Sequence, residues 1–301
     1  MTSADLARWG GTSTITDLDG PTHVARFGGP ADAPRALLVH GAGGSLLDFL
    51  PLTPELRQRL DLYAVDLPGS GRSPRAGQSP SISGGAALLD RVVRDVVGEP
   101  VLLVGNSLGG IMALEYAVRQ PTQVTGVVLL DATQPLGRGG DPRIAAALAG
   151  TLLPWLPQRL LAAQRARETP EAHVADGLRV AFADPDAVPR DLARVMAAQR
   201  AAQDPATARE QDAAFVSVAR SIVGLLARPW RHRRLFAAVE APVLMIHGED
   251  DAIIPVRWAR TSAAAHPRWT FHALPGVGHM PQAERPDLVA KLVFEWLDAP
   301  A

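Results

Sequence analysis

A chain of 301 residues with an apolar fraction of 47% is long enough for one large α/β domain with an insertion, or for two modest domains. Its formal net charge of −1 argues against polyanion binding as a main role, so no nucleic-acid partner is expected, and the absence of cysteine excludes disulfides, thiolate metal sites and a cysteine nucleophile. The first eight residues lack the basic start and apolar core of a signal peptide, and no run approaches the roughly 20 apolar residues of a membrane span, so a cytoplasmic protein is expected.

Residues 12–16 and 23–27 read as an antiparallel pair at a sheet edge, joined by a turn at Asp19-Gly20-Pro21. Residues 35–39 form a buried strand that ends in His40-Gly41-Ala42-Gly43-Gly44. A strand near residues 62–65 runs into Asp66-Leu67-Pro68-Gly69-Ser70-Gly71-Arg72-Ser73. Residues 101–104 are apolar and lead into Gly105-Asn106-Ser107-Leu108-Gly109, after which residues 111–117 continue at helical spacing. A further strand spans residues 124–130 and ends at Asp131. This alternation predicts a mostly parallel sheet covered by helices on both faces.

The alternation breaks after Thr133. Residues 134–235 contain no strand pattern, only alanine-rich helical stretches with boundaries at Asp184-Pro185, Val188-Pro189 and Asp204-Pro205, which predicts an all-helical insertion of four or five helices. The sheet resumes at residues 242–246, followed by His247-Gly248-Glu249-Asp250-Asp251 and Pro255. Near the end, Gly276-Val277-Gly278-His279-Met280-Pro281 sets a histidine in a glycine-flanked loop before a final helix. The expected division is residues 1–133 and 236–301 as one core, with residues 134–235 inserted.

A serine that turns a strand into a helix between glycines has its hydroxyl exposed at the head of the helix, where free N–H groups favour developing negative charge. Together with the His-Gly loop, the acid loop and the C-terminal histidine, this pattern resembles the α/β-hydrolase family from about residue 35 to residue 297. The resemblance implies an α/β-hydrolase fold whose helical insertion is a cap over the active site. It also implies a nucleophile, Ser107, a base, His279, and an orienting acid, chosen by the family's loop spacing as Asp251. The amides of Ala42 and Leu108 would hold an oxyanion.

Asp131 is the rival acid, because some members draw theirs from that strand end, and Asp250 is a more distant third. His40 is expected to brace its loop, and His247 and His272 to be structural. Gly41, Gly43, Asn106, Ile254 and Met280 are candidate pocket residues by proximity to these loops. In the insertion, Leu152, Trp155, Phe182 and Phe215 are apolar residues able to face substrate or to form its core, with Trp155 and Phe182 carried as substrate-binding candidates. Arg228, Arg231, Arg233 and Arg234 form the basic cluster, read as a solvated helix face and hinge rather than an anion site. No P-loop, complete GxGxxG or HExxH string occurs, and no metal or cofactor is expected.

The expected partner is a small acyl substrate, cleaved as an ester through an acyl-enzyme. A serine at the elbow argues against the family's epoxide hydrolases and haloalkane dehalogenases, which carry aspartate there. A carbon–carbon bond hydrolase of ring-fission diketones is the alternative, suggested by Asn106 before the serine. Met280 instead of a tryptophan, and no asparagine near Asp48, count against it. A thioesterase or perhydrolase would use the same machinery, and a ligand receptor that has lost turnover is a minor alternative.

Overall fold

The computed structural model describes residues 6–135, 146, 150–153 and 156–299. The strands among them are β1 (Thr12–Asp17), β2 (Pro21–Gly28), β3 (Arg35–Val39), β4 (Asp61–Val65), β5 (Val101–Asn106), β6 (Val124–Leu130), β7 (Val243–Gly248) and β8 (Thr270–Leu274). They form one eight-stranded sheet in the order β1-β2-β4-β3-β5-β6-β7-β8. The expected edge hairpin is present, with Thr12 opposite Arg26 and Asp17 opposite Pro21. β2 then joins β4 antiparallel, and every pairing from β4 to β8 is parallel.

The central strands are apolar along their whole length because both faces of the sheet are covered. Side chains alternate across it. Leu38, Val104, Val128 and Ile246 enter one core, and Leu37, Leu103, Val127 and Met245 enter the other. On the second face lie α1 (Ile82–Val92), capped by the Ser81 hydroxyl accepting from the Gly84 N–H, and α2 (Leu108–Arg119).

Between β6 and β7 the described residues hold five longer helices and no strand. These are α3 (Leu156–Arg167), α4 (Pro170–Ala181), α5 (Arg190–Ala201), α6 (Pro205–Leu226) and α7 (Pro229–Ala237). The X-Pro boundaries fall as expected: Asp204 accepts from the amides of Ala206 and Thr207 at the head of α6, directly before Pro205. α4 packs on α5, and α3 on α6. The chain returns through β7, α8 (Val256–Ala265), β8 and α9 (Pro286–Asp298). No helix among the described residues is long and apolar enough to cross a membrane.

His40, Ser107, Asp131, Asp251 and His279 all follow the carboxyl ends of parallel strands, where a sheet of this kind opens a crevice. The approach of α2 to that edge depends on two missing Cβ atoms. A Cβ on Gly105 would lie 2.6 Å from the Gly109 backbone, and one on Gly109 would lie 2.1 Å from the Val39 carbonyl oxygen. Gly109→Ala therefore has to push α2 off β3. It is expected to lose at least about 2 kcal/mol of stability, or not to fold, in urea denaturation. A loss within the scatter of surface substitutions would contradict this packing.

Candidate active site

Ser107 sits at φ 52°, ψ −116°, a backbone conformation that non-glycine residues rarely adopt. Such strain costs roughly 1–3 kcal/mol and persists only where neighbours over-determine it. Here they do: the Ser107 N–H donates to the Leu130 carbonyl at 2.9 Å, and its own carbonyl accepts from Gly110 and Thr133 at 3.2 Å each. The side chain lines a cavity of about 700 Å³. Its Oγ makes no hydrogen bond with another described residue, including His279, which lines the same cavity.

His279 Nδ1 lies 2.8 Å from Asp251 Oδ2. The other carboxylate oxygen accepts from the amides of Ile253 and Ile254 at 2.7 and 2.9 Å, so the acid is clamped in one orientation. Asp131 makes no contact with the imidazole. Its Oδ1 accepts from the Gly248 N–H at 2.9 Å, and its buried Oδ2 has no partner when treated as an acceptor. Of the two acids, geometry therefore pairs Asp251 with His279. Asp250 is turned to the Gly276 amide, 3.0 Å away.

The two carboxyls are nevertheless neighbours. Burial, followed by the charge of Asp251, pushes Asp131 well above the ordinary carboxylate range. Burial would also raise Asp251, but the His279 charge and hydrogen bonds from His247, His279 and Asp131 outweigh it and hold Asp251 well below that range. Of the two neighbouring carboxyls, the charge is thus favoured on Asp251 and disfavoured on Asp131. His247, expected to be merely structural, completes the cluster: Nε2 donates to the Ile254 carbonyl at 2.8 Å and lies 3.5 and 3.4 Å from Asp131 and Asp251. These three residues bring side-chain N and O atoms within 4.8 Å of one another, and each residue is also bonded to a group outside the three: His247 to the Ile254 carbonyl, Asp131 to the Gly248 amide and Asp251 to His279.

Asn106 ties the elbow to the histidine loop. Its side-chain amide donates to the carbonyls of Leu130 and His279 at 3.1 Å each. His40 braces its loop as expected, with Nδ1 donating to the Gly41 carbonyl at 2.7 Å and Nε2 accepting from the Leu67 amide at 3.0 Å. This assigns one neutral tautomer, and burial lowers its pKa accordingly. The amides of Ala42 and Leu108 have no acceptor among the described residues, and both residues line the cavity.

Gly41, Gly43, Asn106, Ile254 and Met280 also line it. Phe182 does not: it is 4% exposed in the core cluster with Leu178 and Leu192, and this corrects its assignment to the pocket. Phe215 takes the wall position instead, close against Gly43, while Leu152 is exposed and off the cavity. Trp155 lies outside the described residues.

Two carboxyls escaped the sequence reading. Asp66 organises the loop after β4, accepting from the amides of Leu46 and Arg72 at 2.8 Å and from His23 Nδ1 at 2.7 Å. Asp48 lines the cavity beside Gly44. The Asp-Leu-Pro-Gly loop was a signal for the first; nothing local marks the second.

The sequence model of the alpha/beta hydrolase family matches residues 36–292. This chain is an α/β hydrolase. Over 267 residues the hydrolase is 30% identical to the pimeloyl-(acyl-carrier protein) methyl ester esterase of Xanthomonas campestris, covering 88% of this chain and 96% of that one. Its fold is similar to that of naproxen esterase from Bacillus subtilis, with a TM-score of 0.71, 20% identity and coverage of 98% and 95%. The fold is also similar to that of the 2-hydroxy-6-oxo-6-phenylhexa-2,4-dienoate hydrolase of Rhodococcus, with a TM-score of 0.72, 22% identity and coverage of 93% and 94%.

Burial, partly offset by the Ser45 backbone hydrogen bond, raises the Asp48 carboxyl from 3.8 to about 7. The folded state of the hydrolase therefore prefers Asp48 neutral, and the stability this provides below pH 4 is lost as pH rises through 7. Asp48→Asn removes the ionisation. Its stability relative to the parent should rise by a few kcal/mol between pH 5 and pH 8.5 in urea denaturation. An unchanged difference would contradict a raised Asp48 carboxyl that titrates near 7.

Proposed function

We propose that this α/β hydrolase is a serine hydrolase that cleaves an ester or related acyl substrate through an acyl-enzyme on Ser107. The observation that carries this reading is the His279–Asp251 pair, 2.8 Å apart, on a loop bound to Asn106 beside a strained serine on the same cavity. His279 Nε2 takes the hydroxyl proton as Oγ attacks the acyl carbon, and the amides of Ala42 and Leu108 receive the negative charge on the former carbonyl oxygen. The same imidazole then protonates the leaving group. Water, deprotonated by His279, attacks the ester to Ser107 and releases the acid, restoring the serine.

Asp251 holds the Nδ1–H tautomer and stabilises the imidazolium. Asp251, held low, carries the negative charge that faces His279, while burial and that charge push the neighbouring Asp131 carboxyl up. The chemistry assigned here needs no metal or cofactor. Helices α4, α5 and α6 act as the cap, closing the cavity over the sheet edge; excluding water there strengthens each of these electrostatic interactions.

Esters are favoured over ring-fission diketones because Asn106, the residue that suggested the latter, has its amide engaged by two backbone carbonyls and serves to position the histidine loop. The name of the Xanthomonas relative, a methyl ester esterase, supports the same preference. Nitrophenyl esters should be turned over, with Ser107→Ala lowering kcat/KM by at least about 1,000-fold. Absence of ester turnover beside fast cleavage of a vinylogous diketone would move the assignment to a carbon–carbon hydrolase. Asp251→Asn should cost roughly 10,000-fold in kcat, and Asp131→Asn far less. The reverse order would make Asp131 the working acid.

A further inference from the structure

The cavity changes character along α4. His173, Val174, Gly177, Leu178 and Ala181 all line it, so this one helix runs along its wall. At its C-terminal end the Ala181 carbonyl accepts the His279 N–H at 2.6 Å. The middle of the wall is apolar, with Val174 and Leu178 joined by Met196 of α5. Beyond them, at His173, the wall becomes polar and includes Gln199 and Arg200 of α5.

The charges at that polar end do not cancel by contact. Among the described residues two carboxyls line the cavity, Asp48 beside the oxyanion loop and Asp212. Asp212 is paired with Arg165, which also donates to the Ala208 carbonyl. Glu168, off the cavity wall, is engaged by Gln164 Nε2 at 3.0 Å and by His173 Nδ1 at 3.1 Å. Arg200 is half-buried, and its guanidinium has neither an ion pair nor a hydrogen bond among the described residues. The Nε2 of adjacent Gln199 is buried and has no acceptor. Burial, then the charge of Arg165, lowers the Arg200 pKa, with Asp212 and Glu168 acting in the opposite direction at longer range. A guanidinium and an amide on one wall thus both lack an acceptor, and a planar anion satisfies such a pair.

We propose that Arg200, assisted by Gln199, is a carboxylate-recognition subsite, and that the preferred substrate is an ester whose acyl chain carries a carboxylate at its far end. This rests on the ester reading for the reaction and on the cavity wall for the recognition. His173 lies within electrostatic reach of Arg200, and it is eight residues, roughly 12 Å of helix, from the Ala181 turn that holds His279. The acyl group that bridges these points is an extended chain of medium length lying along Val174, Leu178 and Met196. Short acyl groups leave Arg200 unoccupied.

The test compares nitrophenyl monoesters of adipic, suberic and sebacic acids with the matching hexanoate, octanoate and decanoate. In the parent enzyme at least one diacid monoester should exceed its neutral counterpart in kcat/KM, and Arg200→Gln should lower that ratio roughly 10- to 100-fold. Arg200→Lys should restore part of it. A ratio that stays the same in Arg200→Gln, or a parent enzyme with no preference for any diacid monoester, would overturn the proposal.

A calorimetric titration of suberate into Ser107→Ala needs no turnover. Binding that disappears when Arg200→Gln is added supports the subsite even if no ester is hydrolysed, in which case only the ester reading fails. Suberate that binds equally to both proteins, or to neither, overturns the subsite whatever the ester assays show.

Discussion

The side-chain amide of Asn106 holds this site together. Its two N–H groups reach the Leu130 carbonyl, at the end of the neighbouring strand, and the carbonyl of His279, from a loop more than 170 residues away. One planar group therefore sets the histidine loop against the turn that bears Ser107. That turn is itself strained, and it survives because the Ser107 backbone is bonded on both sides and because Gly105 and Gly109 let the helix approach the sheet. Strain, close packing and the amide bridge are three parts of one arrangement: relaxing any of them moves a serine that must sit within reach of an imidazole.

The helical segment is fastened to the same loop. The Ala181 carbonyl accepts from the His279 amide, while Glu284 accepts from the amides of Gly278 and Ala183 at 2.9 and 3.0 Å. The end of α4 is therefore part of the support of His279 as well as part of the cavity wall. A shift of α4 that admits a different substrate would also disturb the imidazole, which couples pocket shape to the proposed chemistry. Behind the imidazole, burial and mutual repulsion push Asp131 up while the partners of Asp251 hold it low, which favours one negative charge over two.

The sheet was legible because strands buried on both faces become continuous apolar runs such as residues 101–104, and because the residues at their carboxyl ends are short local motifs. The edge hairpin and the X-Pro starts of described helices such as α6 were legible for the same local reasons. What could not be read was set by packing between distant segments. Phe182 and Phe215 are both aromatic residues of the insertion, yet only the second lines the cavity, since the choice depends on how α4 and α6 meet the core. His247 looked like an ordinary strand residue because its two acidic neighbours come from different strand ends. Arg200 is left without a counter-ion because Arg165 holds Asp212, a pairing set by three-dimensional packing that no local sequence pattern marks.

In the proposed reaction Ser107, His279 and the two loop amides converge on one reacting carbon. A crystal structure of the protein after reaction with an alkyl fluorophosphonate measures this directly. The expected adduct has phosphorus bonded to Ser107 Oγ, one phosphoryl oxygen within hydrogen-bond distance of the Ala42 and Leu108 amides, and His279 Nε2 within reach of Oγ. An adduct on another residue, or on Ser107 with the imidazole turned away and the oxygen in solvent, would contradict it.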